Sequence, residues 1–343
     1  MNILELIKDK DRLDFSQNLS IARNYMGDRL FPDVKTQHLE AEFYRLADDV
    51  QIPTMAKVHA FDTEAAIGTR PTLERVNFEK LLIKEKINQS ERLSLLKSTG
   101  VPETNLISYV YDDMGRLAES VKTRTEVAKM ELLQTGKITI NENNLKFTID
   151  YGVPKENKVA YTWDNDEADI LGDIQAMIDI AKSKGKNIVK GVTSTKIVAR
   201  MRKNKGIQTA INGVNALGTF ISFTQINALL NDMFGFTLEV NDELYAYEQA
   251  NGIKTTKRYF DENKFVLLAT MPNGSIGTGL WGVTPEELKL SPWSAKSAKQ
   301  FITITQWETP DPVATWTKAS GVFVPVLPSQ NSLMIATINF EKK

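Results

Sequence analysis

Between Pro102 and Gly136 the sequence permits one uninterrupted helix, and no other stretch restricts the fold as strongly. Ile107, Val110, Met114, Leu117, Val121, Ala128 and Leu132 recur at helical spacing. Pro102 suits the first helical position, where its missing N–H costs nothing. Gly136 supplies the left-handed stop. Roughly 33 residues at 1.5 Å rise give a rod of about 50 Å, longer than the usual globular helix. The same spacing puts Asp112, Asp113, Arg116, Glu119, Lys122, Glu126 and Lys129 outward. A single apolar stripe therefore predicts a strut lying along one surface. A coiled coil is the other reading, and Arg124 on the continuing heptad seam counts against it.

The rest of the chain must supply something for this rod to lie on. Its 343 residues allow two or three domains, and a hydrophobic fraction of 42% is enough for a core. The 42 Lys+Arg and 43 Asp+Glu nearly cancel, which argues against a protein whose main task is gripping nucleic acid. There is no cysteine, so disulfides, thiolate zinc sites, iron–sulfur clusters and cysteine nucleophiles are excluded. Two histidines, His38 and His59, are too few for most metal or acid–base chemistry. The first eleven residues are amphipathic and charged, unlike a signal peptide. No apolar run reaches the roughly 20 residues of a membrane span. The expectation is a soluble intracellular product with no membrane partner.

Residues 1–34 hold scattered apolar anchors (Ile3, Leu4, Leu6, Ile7, Leu13, Phe15, Leu19, Ile21) and close at Pro32. They fit an extended arm or a frayed terminus. Residues 35–86 alternate twice, over 36–52 and again over 72–86, around a softer stretch at 54–71. This predicts a two-stranded ribbon with a mobile tip, or an ordinary surface hairpin. Such a ribbon is marginal alone in water and needs a neighbour. After the helix, residues 137–150 read as a hairpin with an Asn-rich turn.

From 164 a compact α/β pattern begins. Asp164 with Glu167 has the form of a capping box ahead of Ile170, Leu171, Ile174, Met177, Ile178 and Ala181, and Gly185 stops that helix. Residues 187–192 suit a strand and 193–203 a helix. Ser222 and Gln225 form a second capping box, and Gly235 ends its helix. Strands are predicted at 236–240, 243–248, 257–260 and 264–270, then at 300–308, 321–327 and 332–340. The last strands are expected to return beside the hairpin at 137–150, making one domain discontinuous.

Chemistry is tested and mostly rejected. Gly277, Gly279 and Gly282 satisfy G-x-G-x-x-G, but a helix can start only after Thr284-Pro285 and no acidic residue stands about 20 residues on. A flexible glycine-rich loop is the expectation. The pairs Asp48–Asp49, Asp112–Asp113 and Asp164–Asp166 read as solvated faces and a helix cap. Arg200, Arg202, Lys203 and Lys205 read as cations at a helix C-terminus. Trp281, Trp293, Trp307 and Trp316 read as packing of irregular chain. No catalytic, cofactor-binding or metal-binding residue is assigned.

Five stretches, taken in order, resemble one family. They are Leu30-Phe31-Pro32-Asp33, Ile149-Asp150-Tyr151-Gly152, the run from Trp163 to Ile174, the run from Met271 to Trp281, and the region of Pro310, Pro312, Pro325 and Pro328. Together they resemble the major capsid protein family of tailed phages, in the branch typified by the phage lambda head protein. The resemblance implies an α+β chain with an N-terminal arm (1–34), an extended β-ribbon loop (35–86), a peripheral domain (87–165 and 298–343) with a spine helix near 102–135, and an axial α/β domain (166–297). It implies a non-enzymatic shell protein assembling through hexamers and pentamers, with a scaffolding protein, a portal and a decoration protein as partners. Packaged DNA would be touched only non-specifically. The location would be the virion, after assembly in the host cytoplasm. Some relatives join subunits through a Lys–Asn bond; Lys57 is the only lysine in the ribbon tip, and no such bond is predicted. Two other readings stand beside this one: a two-domain α/β enzyme using residues 277–282, and a tail or tubular assembly protein.

Overall fold

The computed structural model describes residues 23–38, 40–46, 52, 55–56, 73–89, 103–213, 218–248, 253–288, 295–299, 301–310 and 313–341. Most of the expected arm (1–22) and of the ribbon tip, with His59, Lys57, Asp48, Asp49 and Trp293, lies outside the described residues.

In chain order, α1 (Met26–Leu30) and β1 (Asp33–Lys35) come first, then β2 (Glu40–Leu46), β3 (Leu73–Glu79) and β4 (Leu81–Gln89). α2 runs Glu103–Thr135, 33 residues, and Gly136 follows it with φ 71°, so the predicted C-terminal stop holds; Pro102 lies outside the described residues. β5 (Lys137–Glu142) and β6 (Leu145–Asp150) form the predicted hairpin. Asn143 and Asn144 take φ 50° and 64°, the left-handed pair that a two-residue hairpin turn requires. There follow β7 (Lys158–Thr162), α3 (Ile170–Ser183), β8 (Lys190–Thr193), α4 (Thr195–Lys203), α5 (Lys205–Asn212), α6 (Phe223–Phe234), β9 (Thr237–Val240), β10 (Leu244–Glu248), β11 (Lys254–Arg258) and β12 (Lys264–Leu268). β13 (Thr278–Trp281), α7 (Pro285–Leu288), β14 (Ala295–Lys299), β15 (Ile302–Pro310), β16 (Val313–Val326) and β17 (Leu333–Asn339) complete the chain. No helix among the described residues is long and apolar enough to cross a membrane.

Contacts divide the chain into two compact units. One takes Met1–Ala41, Asn77–Lys129 and Gly277–Val326; the other takes Glu42–Val76, Met130–Ile276 and Leu327–Lys343.

In the first unit the sheet order is β1-β13-β16-β15-β14, with β4 also paired to β16. The ribbon differs from expectation here. Its second arm was expected to run to Lys86, but Leu81–Gln89 leaves β2 and pairs antiparallel along β16, from Leu81↔Phe323 to Gln89↔Thr315. Leu81, Ile83 and Ile87 are half-buried in that position, which an isolated ribbon could not offer them. Residues 277–282 also differ. Thr278–Trp281 is a central strand between β1 and β16, not a flexible loop. Its glycines permit close packing: a Cβ on Gly277 would lie 2.1 Å from the Val326 carbonyl oxygen, and one on Gly279 would lie 2.6 Å from Asp33 Oδ1. Trp281 is fully buried, 5.0 Å from Phe323 and 5.4 Å from Phe301 between ring centroids.

The second unit holds the sheet β7-β17-β12-β8-β9. Its core gathers Ile174, Met177 and Ile178 of α3, Ile197 and Met201 of α4, Ile226 and Leu230 of α6, and Phe265 and Met334 of the sheet. α6 carries the predicted capping box at Ser222–Gln225 and its αL stop at Gly235. α3 is capped instead by Asp169, whose carboxylate accepts from the Gly172 N–H. Asp164–Ala168 turn before the helix begins, and Asn165 Oδ1 accepts from the Glu167 N–H there. The last strands do not return beside the hairpin. β5 and β6 pair only with each other among the described residues, while β17 runs parallel to β7 and antiparallel to β12. The cause is burial: Leu333, Met334, Ile335 and Ala336 are buried on both faces, which only a central strand satisfies.

Candidate functional site

For a chain without catalytic motifs, the informative site lies in the first unit, where residues 25–38 meet α2 and the junction of β3 and β4. Tyr25, Leu30 and Phe31 are buried, and their segment lies along α2. The Gly27 N–H donates to Glu126 Oε1 at 2.9 Å. Lys129, with no exposed side-chain surface, places Nζ 2.5 Å from Asp28 Oδ1 and 3.1 Å from Asp33 Oδ1. Lys122 reaches Asp28 Oδ2 at 3.3 Å and also pairs with Asp33. Two aspartates and two lysines thus form one closed charge cluster.

This corrects the reading of α2 as a strut with one apolar stripe. Asp113, Glu126 and Lys129 were placed outward; they are 2%, 2% and 0% exposed. Glu126 and Lys129 are covered by residues 25–33, which bring their own polar partners. The signal was present in the spacing. Lys122, Glu126 and Lys129 stand at i, i+4 and i+7, a second stripe that is polar yet continuous.

Burial alone would push the Asp33 carboxyl up, but the ammonium groups of Lys129 and Lys122 outweigh it and hold the carboxyl below its ordinary range. A depressed folded-state pKa contributes stability that is complete above the unfolded value, about 3.9 for Asp. That contribution is lost as pH falls through the folded value. Wild type should therefore unfold more easily in urea as pH drops from 5 towards 2. Asp33→Asn should lie below wild type at pH 5 and converge with it at the acid end. Parallel curves would overturn the assignment.

The ribbon root is held by a second buried lysine. Lys80, 3% exposed, sits between β3 and β4 and donates to Thr36 Oγ1 and to the His38 carbonyl oxygen. It joins the outgoing and returning chain at one point, and burial lowers its pKa. The Thr36 N–H donates to the Trp281 carbonyl oxygen at 2.8 Å. Around it, Lys35 pairs with Glu287 at 2.8 Å, and Glu286 pairs with Lys318 at 2.7 Å and with Lys84 at 3.3 Å. No local pattern singles out Lys80, whose partners lie more than 40 residues earlier.

The other residues singled out from sequence fall apart in space or serve the fold. Arg200 pairs with Asp166 at 3.0 Å and Lys205 with Glu167 at 2.7 Å, so the basic run engages the turn before α3. Trp307 and Trp316 stack across β15 and β16 at 6.3 Å. His38 contributes only its carbonyl. With Thr278–Trp281 a strand paired on both sides, the glycines do not form the strand-to-helix turn that the dinucleotide pattern requires. Among the described residues, no group of three or more His, Asp and Glu side chains could hold a metal ion.

The family description "Phage major capsid protein E" matches residues 16–338, nearly the whole chain. The chain belongs to this family. It is a capsid shell protein, and the fold agrees. A prophage protein of Escherichia coli CFT073, described as its capsid protein, superposes with a TM-score of 0.60 at 15% identity, over 98% of this chain and 99% of that one. A phage-related protein from Bordetella bronchiseptica RB50 gives 0.58 at 11% identity, over 95% and 96%. The mature capsid of bacteriophage PhiM1 gives 0.51 at 7% identity, over 94% and 90%. No curated protein sequence matches the chain.

Proposed function

We propose that this capsid protein assembles through hexamers and pentamers into the closed icosahedral shell that encloses a tailed phage's DNA. The observation that carries this reading is the family match over residues 16–338. In this scheme residues 1–34 form an arm that packs under another subunit, and residues 35–86 form a ribbon laid across a neighbour. Residues 87–165 and 298–343 form the peripheral domain, and residues 166–297 line the capsomer axis. The chain works as a building block and not as a catalyst. Assembly in the host cytoplasm would draw on a scaffolding protein and a portal, with a decoration protein added to the finished virion.

The near-balance of 42 Lys+Arg against 43 Asp+Glu suits a container that touches packaged DNA only non-specifically. Exposed ion pairs worth about 0–1 kcal/mol each would let misplaced subunits dissociate before closure. Negative-stain electron microscopy of the purified chain tests the proposal: closed shells with fivefold and sixfold capsomers are expected. Tubes would favour a tail protein instead, and a population of monomers under all assembly conditions would overturn the shell reading.

A further inference from the structure

In the second unit, β7, β17 and β12 lie side by side, and side chains at paired and alternate positions share a face. The register pairs Lys158 with Ile335, Ala160 with Thr337, and Thr337 with Lys264. Two lysines on the outer strands therefore flank a threonine on the middle strand. Together with Thr135 these residues line a half-open cavity of about 350 Å³.

The polar groups in this cavity are incompletely used. Lys264 Nζ donates to Thr337 Oγ1 at 2.8 Å, which leaves the threonine's own proton available to another acceptor. Among the described residues, no carboxylate lies within ion-pair distance of Lys158 or Lys264; the neighbouring Asp150 is bonded to Lys137 at 2.8 Å. Gly136 keeps the approach open, since a Cβ there would stand 3.2 Å from Lys158 Nζ. Burial lowers the pKa of both lysines. Lys137 and Lys264 lower that of Lys158 further, against the pull of Asp150, and Asp261 acts against burial at Lys264. Two half-buried cations side by side are costly unless an anion joins them.

We infer that this cavity is a phosphate-binding site, in which the Lys158 and Lys264 ammonium groups and the Thr337 hydroxyl converge on one tetrahedral oxyanion. Lysine binds phosphate as a point charge, and three donors from three strands fit a multi-oxygen anion better than a planar carboxylate carrying one charge. Free phosphate and the phosphodiester backbone of nucleic acid share this chemistry. The site stands on its own geometry and does not depend on the shell proposal.

The test is thermal melting and calorimetric titration of the full chain with inorganic phosphate at constant ionic strength. Phosphate at about ten times its Kd should raise Tm by roughly 2 °C. Lys264→Met and Lys158→Met should each weaken binding by about tenfold or more, and without phosphate they should melt no lower than wild type. If Lys264→Met fails to fold, Lys158→Gln makes the same comparison. A short DNA duplex distinguishes the source. Duplex binding that phosphate competes away assigns the site to nucleic acid, whereas phosphate binding without duplex binding assigns it to the free ion. No binding, an equal response to acetate, or an undiminished response in the lysine variants would overturn the inference.

Discussion

Lys129→Ala is expected to cost about 3 kcal/mol of folding stability, the range found when one partner of a buried ion pair is removed. The side chain is fully buried. Its ammonium is shared between Asp28, 2.5 Å away, and Asp33, 3.1 Å away. Without it, Asp33 keeps Lys122 as its cation among the described residues, and the space of three methylenes and the ammonium opens near Phe323, whose ring centroid lies 5.4 Å from the ammonium. Lys129→Met separates the two causes. It fills the space but removes the charge, so a loss of similar size assigns the effect to the stranded carboxylates. Asp28, 36% exposed, should tolerate Asp28→Asn at under about 1 kcal/mol, because solvent screens it. Urea unfolding of the three variants at pH 7 gives the comparison. A loss under about 1 kcal/mol in Lys129→Ala would mean that the cluster does not hold the N-terminal segment.

The same cluster shows where sequence reading succeeds and where it stops. The C-terminal bound of α2 was legible because Gly136 acts through its own backbone chemistry. The capping box at Ser222–Gln225 and the Asn143–Asn144 turn were legible for the same reason. Lys129 was misread because its partners stand about 100 residues upstream: amphipathic periodicity reports which residues are polar, not whether a distant segment arrives to satisfy them. Lys80 is a similar case, a lone charge whose acceptors are a hydroxyl and a carbonyl. Residues 277–282 looked flexible because glycine is permissive; here the missing side chains instead admit Phe31 and Asp33 at close range. The cavity at Lys158 and Lys264 needs a register between strands more than 70 residues apart, which no local pattern encodes.

Deleting residues 54–71 is expected to abolish closed shells, or to misdirect them, while the chain still folds. The two halves of this expectation rest on different physics. Folding should survive because β2 and β3 pair only with each other among the described residues. Their ion pair, Arg75 Nε to Glu42 Oε1 at 2.7 Å, has side chains 56% and 41% exposed. A pair that exposed is worth at most about 1 kcal/mol, so little of either unit's stability resides in the ribbon. The root below it, with Lys80 and the β4–β16 ladder, is untouched by the deletion and should keep Tm within a few degrees of wild type. Assembly should fail because an isolated two-stranded ribbon is marginal in water. Glu74, Arg75, Asn77 and Glu79 are exposed, and a surface with that little cover of its own is suited to one lent by a neighbouring copy. Circular dichroism and melting of the deleted chain read the first half, and electron microscopy reads the second. Normal closed shells from a folded deletion variant would show that the ribbon does not bridge subunits, and the contacts that close the shell would then have to be sought elsewhere on the two units.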